Sequence, residues 1–111
     1  MDIDFKSKKL MKIFNSEERL RKEYGPEQAR LIQRRMWILR AAPTLADVPT
    51  DKPERRHQLK GDRKNQFAVD LKQPFRLIFE PNHNPIPRSE DGNIITSNVT
   101  AITILEVKDY H

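Results

Sequence analysis

The stretch "QFAVDLKQPFRLIFE", residues 66–80, constrains the fold more than any other part of the chain. Phe67, Val69 and Leu71 recur at every second position, and after Lys72-Gln73-Pro74 the period resumes at Phe75, Leu77 and Phe79. Side chains alternate between the two faces of a strand, so a slip of one residue would turn the whole apolar set to the wrong side. Two such runs joined by a short turn predict an antiparallel hairpin with one apolar face. The opposite face carries Ala68, Asp70 and Lys72 from the first strand and Arg76, Ile78 and Glu80 from the second. Lys72 and Arg76 are then expected to project together on that uncovered face.

Two further runs extend the sheet. "HQLK" precedes the hairpin and "VTAITILEV" follows it, the latter apolar at both parities, as a central strand requires, until Glu106, Lys108 and Tyr110 leave one side polar. Lys60 joins the uncovered face if Leu59 points to the core, whereas His57 shares the side of Leu59. "PNHNPIPRSEDGNIITSN", before the last strand, predicts a long projecting surface loop, in which the lone His83 offers no metal-ligand spacing. At the start of the chain "DIDF" alternates as a short edge strand would.

Between these ends the period is helical. Leu10, Ile13, Phe14, Leu20 and Tyr24 fall on roughly one face after a possible N-cap at Ser7, with "FNSEE" as a potential interruption because Asn15 and Ser16 compete for backbone groups. Gly25 then Pro26 closes one helix and opens the next. In "PEQARLIQRRMWILRA" the apolar positions are Ala29, Ile32, Met36 and Leu39, which turns Arg30, Arg34 and Arg35 toward solvent and leaves Trp37 as a packing residue beside the stripe. Pro43 ends this helix near Ala42. The connection "PTLADVPTDKPERR" admits at most one helical turn, around Leu45. The expected fold is α+β, two N-terminal helices packed on one face of a small antiparallel sheet, as a single domain over residues 1–111.

Composition narrows the setting. With 111 residues, 36% of them apolar, there is room for one core, and with no cysteines there is neither a disulfide framework nor a thiolate metal site. No apolar run is long enough to span a bilayer and "MDIDFKSKK" does not resemble a signal peptide, so the expectation is a cytoplasmic protein without a membrane partner. The net charge is +5 but unevenly spread: residues 1–64 hold 17 Lys and Arg against 10 Asp and Glu, residues 65–111 hold 4 against 6. Such a basic excess suits either a polyanionic partner such as nucleic acid or a solvated helix surface.

On the uncovered sheet face Lys60, Lys72, Arg76, Tyr110 and His111 are placed to converge. Cations that neutralise phosphate, beside groups that exchange protons, are what phosphodiester cleavage requires, with no metal or cofactor in the scheme. Arg63 is near enough to "LKGD" to touch an RNA backbone.

"HQLKGDRKNQFAVDLKQPFRLIFEP", preceded by two helices and closed by a strand ending in "DYH", resembles the RelE/ParE superfamily of bacterial toxins, and most closely its HigB branch, the plasmid maintenance killer proteins. The resemblance covers nearly the whole chain and rests on "LKGDR", "FRLIF" and "DYH" in that order. It implies a RelE-like fold and a type II toxin-antitoxin function: a toxin that binds the ribosomal decoding site and cuts messenger RNA, without a metal ion, through attack of the ribose 2′-hydroxyl on the adjacent phosphate. It implies that Lys60, Lys72 and Arg76 hold the phosphate, that Tyr110 and His111 orient or exchange protons, and that Asp109 supports His111, with His57 matching a further histidine of the branch. The implied partners are a cognate antitoxin, the ribosome with its RNA, and the message. Position 72 departs from the Arg of relatives, which loses the bidentate fork, and the 81–98 loop is longer than in compact members. Two other readings stay open: a ParE-type poison of DNA gyrase, against which "DYH" argues, and a non-catalytic RNA-binding or antitoxin-titrating protein.

Overall fold

A computed structural model describes residues 1–109, so that Tyr110 and His111 lie outside the described residues. The helical part is divided in three: α1 (Lys8–Phe14), α2 (Glu17–Tyr24) and α3 (Pro26–Ala41). The break falls at "FNSEE" for a local reason. Ser7 caps α1 by accepting the Leu10 amide at 3.1 Å, and Ser16 caps α2 by accepting the Arg19 amide at 3.2 Å, so the second serine starts a new helix rather than continuing the first. Gly25 joins α2 to α3 at φ +85°, a backbone state that side-chain-bearing residues avoid, and Pro26 occupies the first turn that follows. Ala42, ahead of Pro43, ends α3 in an extended conformation.

The strands are β1 (Asp2–Phe5), β2 (His57–Gln58), β3 (Phe67–Asp70), β4 (Phe75–Pro81) and β5 (Ala101–Asp109), in the spatial order β1-β5-β4-β3-β2. Three neighbouring pairs are antiparallel, as expected, but β1 runs parallel to β5, which makes the sheet mixed. "DIDF" therefore does lie at an edge, beside the last strand of the chain. The Lys72-Gln73-Pro74 turn closes with the Phe75 amide on the Lys72 carbonyl at 2.9 Å. Between Ile78 and Phe79 the register with β5 shifts, a bulge that leaves Leu105 unmatched.

Helices cover one face, where Phe67, Val69, Leu71, Leu77, Phe79, Ile102 and Ile104 pack with Leu20, Ile32, Met36 and Leu39. The other face has a smaller apolar floor of Leu59, Ala68 and Ile78 with Leu105. Two helix expectations fail. Arg35 is buried, because its Nε donates to the Asp70 carbonyl at 2.6 Å across the edge of β3, and Trp37 is 68% exposed rather than packed. The 81–98 segment is tied down more than a projecting loop would be: Ile94 packs on the main core, Arg88 donates to Asn65 at 2.6 Å, and the Thr100 amide donates to His83 Nε2 at 3.0 Å. No helix among the described residues is long and apolar enough to cross a membrane.

These burials predict contrasting costs. Phe79→Ala, at a position with no exposed surface, is expected to destabilise by roughly 3–5 kcal/mol, while Trp37→Ala is expected to stay within about 0.5 kcal/mol, both read by urea unfolding.

Candidate functional site

Strand register fixes what stands together on the helix-free face. Asp70, Arg76 and Lys108 are successive partners across β3, β4 and β5 and form one row. The next row, two residues along each of the first three strands, is His57, Ala68, Ile78 and Glu106. The residue opposite Arg76 is thus Asp70, and the expected pairing of Lys72 with Arg76 does not occur. β3 ends before Lys72, whose ammonium is held by Glu27 of α3 at 2.7 Å while its amide donates to Gln28 Oε1 at 2.9 Å. A carboxylate in the first turn of α3 outcompetes the sheet face for this lysine.

Leu59 lies on the helix-free face with Ala68 and Ile78, not in the main core. Strand parity therefore correctly links His57 with Leu59 but brings both to the open side, so His57 is present there after all. The same observation removes the reason for placing Lys60 beside Arg76: Lys60 is an exposed residue ahead of a short 3-10 turn at Gly61–Arg63. That turn carries Arg63, which donates to Gln66 at 3.2 Å and stands 3.5 Å from Glu106, over the second row. Asp109 pairs in register with Phe75 at the end of β5.

The chemistry of the two rows is set by burial. Asp70 is only 6% exposed, and its carboxylate receives two hydrogen bonds from Arg55, Nε to Oδ2 at 2.6 Å and Nη2 to Oδ1 at 2.9 Å. Arg76 Nε lies 3.8 Å from the same Oδ1. The Arg55 guanidinium is pushed further toward its charged form, first by this hydrogen bond to Asp70 and against the desolvation that opposes it. His57 Nδ1 lies 2.8 Å from the Arg55 carbonyl. A carbonyl only accepts, so Nδ1 donates to it, and in the tautomer this contact selects Nε2 is the ring nitrogen without a hydrogen. That nitrogen is buried and has no hydrogen-bond partner among the described residues. The arrangement sets an oriented proton acceptor one row from a guanidinium on a partly apolar floor.

Tyr110 and His111, expected at this face, lie outside the described residues. Arg55, Asp70 and Lys108 were not read as site residues from sequence. For Asp70 a signal existed, a lone acid at a polar-parity position in an otherwise apolar strand. Among the described residues no group of three or more His, Asp and Glu side chains could hold a metal ion. Neither a scan of protein-family models nor a search of curated proteins matched the chain.

The Glu27–Lys72 contact supplies a titration test. The hydrogen bond from Lys72, aided by its charge, holds the Glu27 carboxyl below the ordinary glutamate value. A depressed carboxyl contributes stability above its unfolded-state value and loses it as pH falls through the folded one. Lys72→Ala is expected to return Glu27 upward toward the ordinary range in a carboxyl NMR titration; an unmoved Glu27 would show that Lys72 is not its partner in solution.

Proposed function

We propose that this protein is the toxin of a type II toxin-antitoxin system, a HigB-like member of the RelE/ParE superfamily that cuts messenger RNA on the ribosome without a metal ion. The observation that carries this reading is Arg76 on the helix-free face, between Asp70 and Lys108 in register and one row from His57 with its bare Nε2. Motif order supports it from the sequence side: "LKGDR", "FRLIF" and "DYH" succeed one another as in that branch. The arrangement of α-helices on one face of the sheet is compatible with a RelE-like fold, with the parallel β1 as an addition at the edge.

In this mechanism a base takes the proton of the ribose 2′-hydroxyl, the oxygen attacks the adjacent phosphorus, and an acid returns a proton to the departing 5′-oxygen. Arg76 and Lys108 neutralise charge that builds on the phosphate oxygens. His57 is suited to the first transfer, because the Arg55 carbonyl fixes its tautomer. His111 or Tyr110 supplies the second, with Asp109 as support. Lys60 and Arg63 bind the nucleic-acid backbone at the near end of the sheet, and the basic residues 1–64 favour approach to ribosomal RNA. Lys72, engaged by Glu27, is assigned no direct role. A cognate antitoxin restrains the activity in the cytoplasm.

The test is cleavage of messages on translating ribosomes after brief induction. The intact protein is expected to give codon-phased cuts and growth arrest. Arg76→Ala is expected to lower cleavage by at least about 100-fold with an unchanged circular dichroism spectrum, since Asp70 keeps its Arg55 partner. Removal of Tyr110 and His111 is expected to have a similar effect. Double-strand DNA breaks in place of message cuts would assign the protein to gyrase poisons, and arrest that survives both changes would remove the proposed site.

A further inference from the structure

Trp37 stands on α3 with 68% of its surface in solvent, although an aromatic side chain of this size gains more from burial than most. It is the chain's single tryptophan. Beside it lie Leu31 and Ile38, both only half-buried against the main core. With Pro53 of the following connection these side chains line an open pocket of ≈ 340 Å³. Leu31 and Ile38 are seven residues apart on one helix, so the apolar strip runs about 10 Å, or two turns, along the axis. Apolar side chains exposed singly are ordinary, whereas several gathered round one opening mark a place of contact.

Polar groups in the pocket wall are already satisfied. Arg35 Nη1 lies 3.8 Å from Glu54 Oε2, with both side chains nearly buried, and Arg35 Nε donates to the Asp70 carbonyl. Arg34 is different. It lines the same pocket, is exposed, and its guanidinium has neither a hydrogen bond nor an ion pair among the described residues. Arg30, one turn before it, draws on Glu27, which Lys72 also holds. Arg30, Arg34 and Trp37 follow one another at steps of four and three, so they share a strip of the helix surface beside Leu31 and Ile38. α3 contains four arginines and, in Glu27, one acid.

We infer that this face of α3 docks an amphipathic helix of a partner protein, with apolar side chains seated between Trp37, Leu31, Ile38 and Pro53 and acidic residues on the flank that meets Arg34. Two turns of apolar strip beside a helix suit a second helix laid along it, and Trp and Arg are the residues that most often carry such contacts. The unpaired charge of Arg34 selects an acidic flank. A second copy of this chain would bring the same arginines together, and an RNA strand would find no partner for its base edges on Leu31, Ile38 and Pro53. The inference does not depend on the proposed nuclease activity.

The test uses the intact protein and a synthetic helical peptide with leucines one turn apart and glutamates on the flanks. Its binding is expected to move Trp37 emission to shorter wavelength along a saturable curve. A peptide with lysine in place of each glutamate, and one of the acidic composition in scrambled order, are each expected to bind at least about tenfold more weakly. With labelled peptide followed by fluorescence anisotropy, Trp37→Ala and Arg34→Glu are each expected to weaken binding about tenfold without a change in circular dichroism, and Arg34→Glu to prefer the lysine peptide, an exchange that a loss of fold would not produce. If Trp37→Ala does not fold, Arg34→Glu decides. No emission shift with the acidic peptide, or equal binding of the lysine or scrambled peptide, overturns the inference. So does a single-stranded RNA oligonucleotide that quenches Trp37 at lower concentration than the peptide, or a shift that grows with protein concentration alone, which would assign the face to nucleic acid or to a second copy.

Discussion

A carboxylate in the floor of a sheet must be paired, because its hydration is lost and the interior does not replace it unaided. Asp70 meets that demand from three directions. Its side chain takes the fork of Arg55 and stands beside Arg76, while its backbone amide and carbonyl engage the Glu54 carbonyl and Arg35 Nε. The connection after α3, the interior of α3 and strand β4 are thereby fixed to one residue near the end of β3. β2 is only two residues long and pairs with the first half of β3, so the remainder of that edge would otherwise expose unpaired backbone. Arg35 and the 54–55 segment fill the place of the missing strand.

Much of this was legible from residue spacing. The alternation of Phe67, Val69, Leu77 and Phe79 gave the helix-covered face, Ser7 and Gly25-Pro26 marked helix boundaries, and the apolar character of both parities in residues 99–105 marked a central strand. Periodicity succeeds there because burial of an apolar face is a local pattern repeated at fixed intervals. It fails for polar residues whose partners are distant in sequence. Arg35 and Asp70 are thirty-five positions apart; Arg35 stands three residues after Ile32 and four before Leu39, on the flank of the apolar stripe and unlike the solvated Arg30 and Arg34, but that spacing does not name the partner that buries it.

The misplacement of Lys72 has a related cause. Alternation counts parity through a strand but does not say where the strand stops, and β3 stops at Asp70. Beyond that point a residue goes where its local partners are, which for Lys72 is Glu27. Leu59 shows the other limit of parity. The pattern shows that residues alternate, but which side faces the helices is known only when both sides are not apolar, and Leu59, Ala68, Ile78 and Leu105 make a second apolar patch. The parallel pairing of β1 was beyond any local signal, since its partner is the final described strand.

That pairing orders events in time as well as in space. β5 stands between β1 and β4, yet it is the last of the three to leave a ribosome during synthesis. Until it arrives, β1 has no strand to join and the row that contains Arg76 lacks Lys108. Sheet closure by so distant a pair is intrinsically late in folding. In a chain whose proposed target is the translating ribosome, the central strand acts as a timer: the face that carries Arg76 is completed only after β1, β3 and β4 have all been made, and until then the ribosome producing it works beside an unfinished sheet.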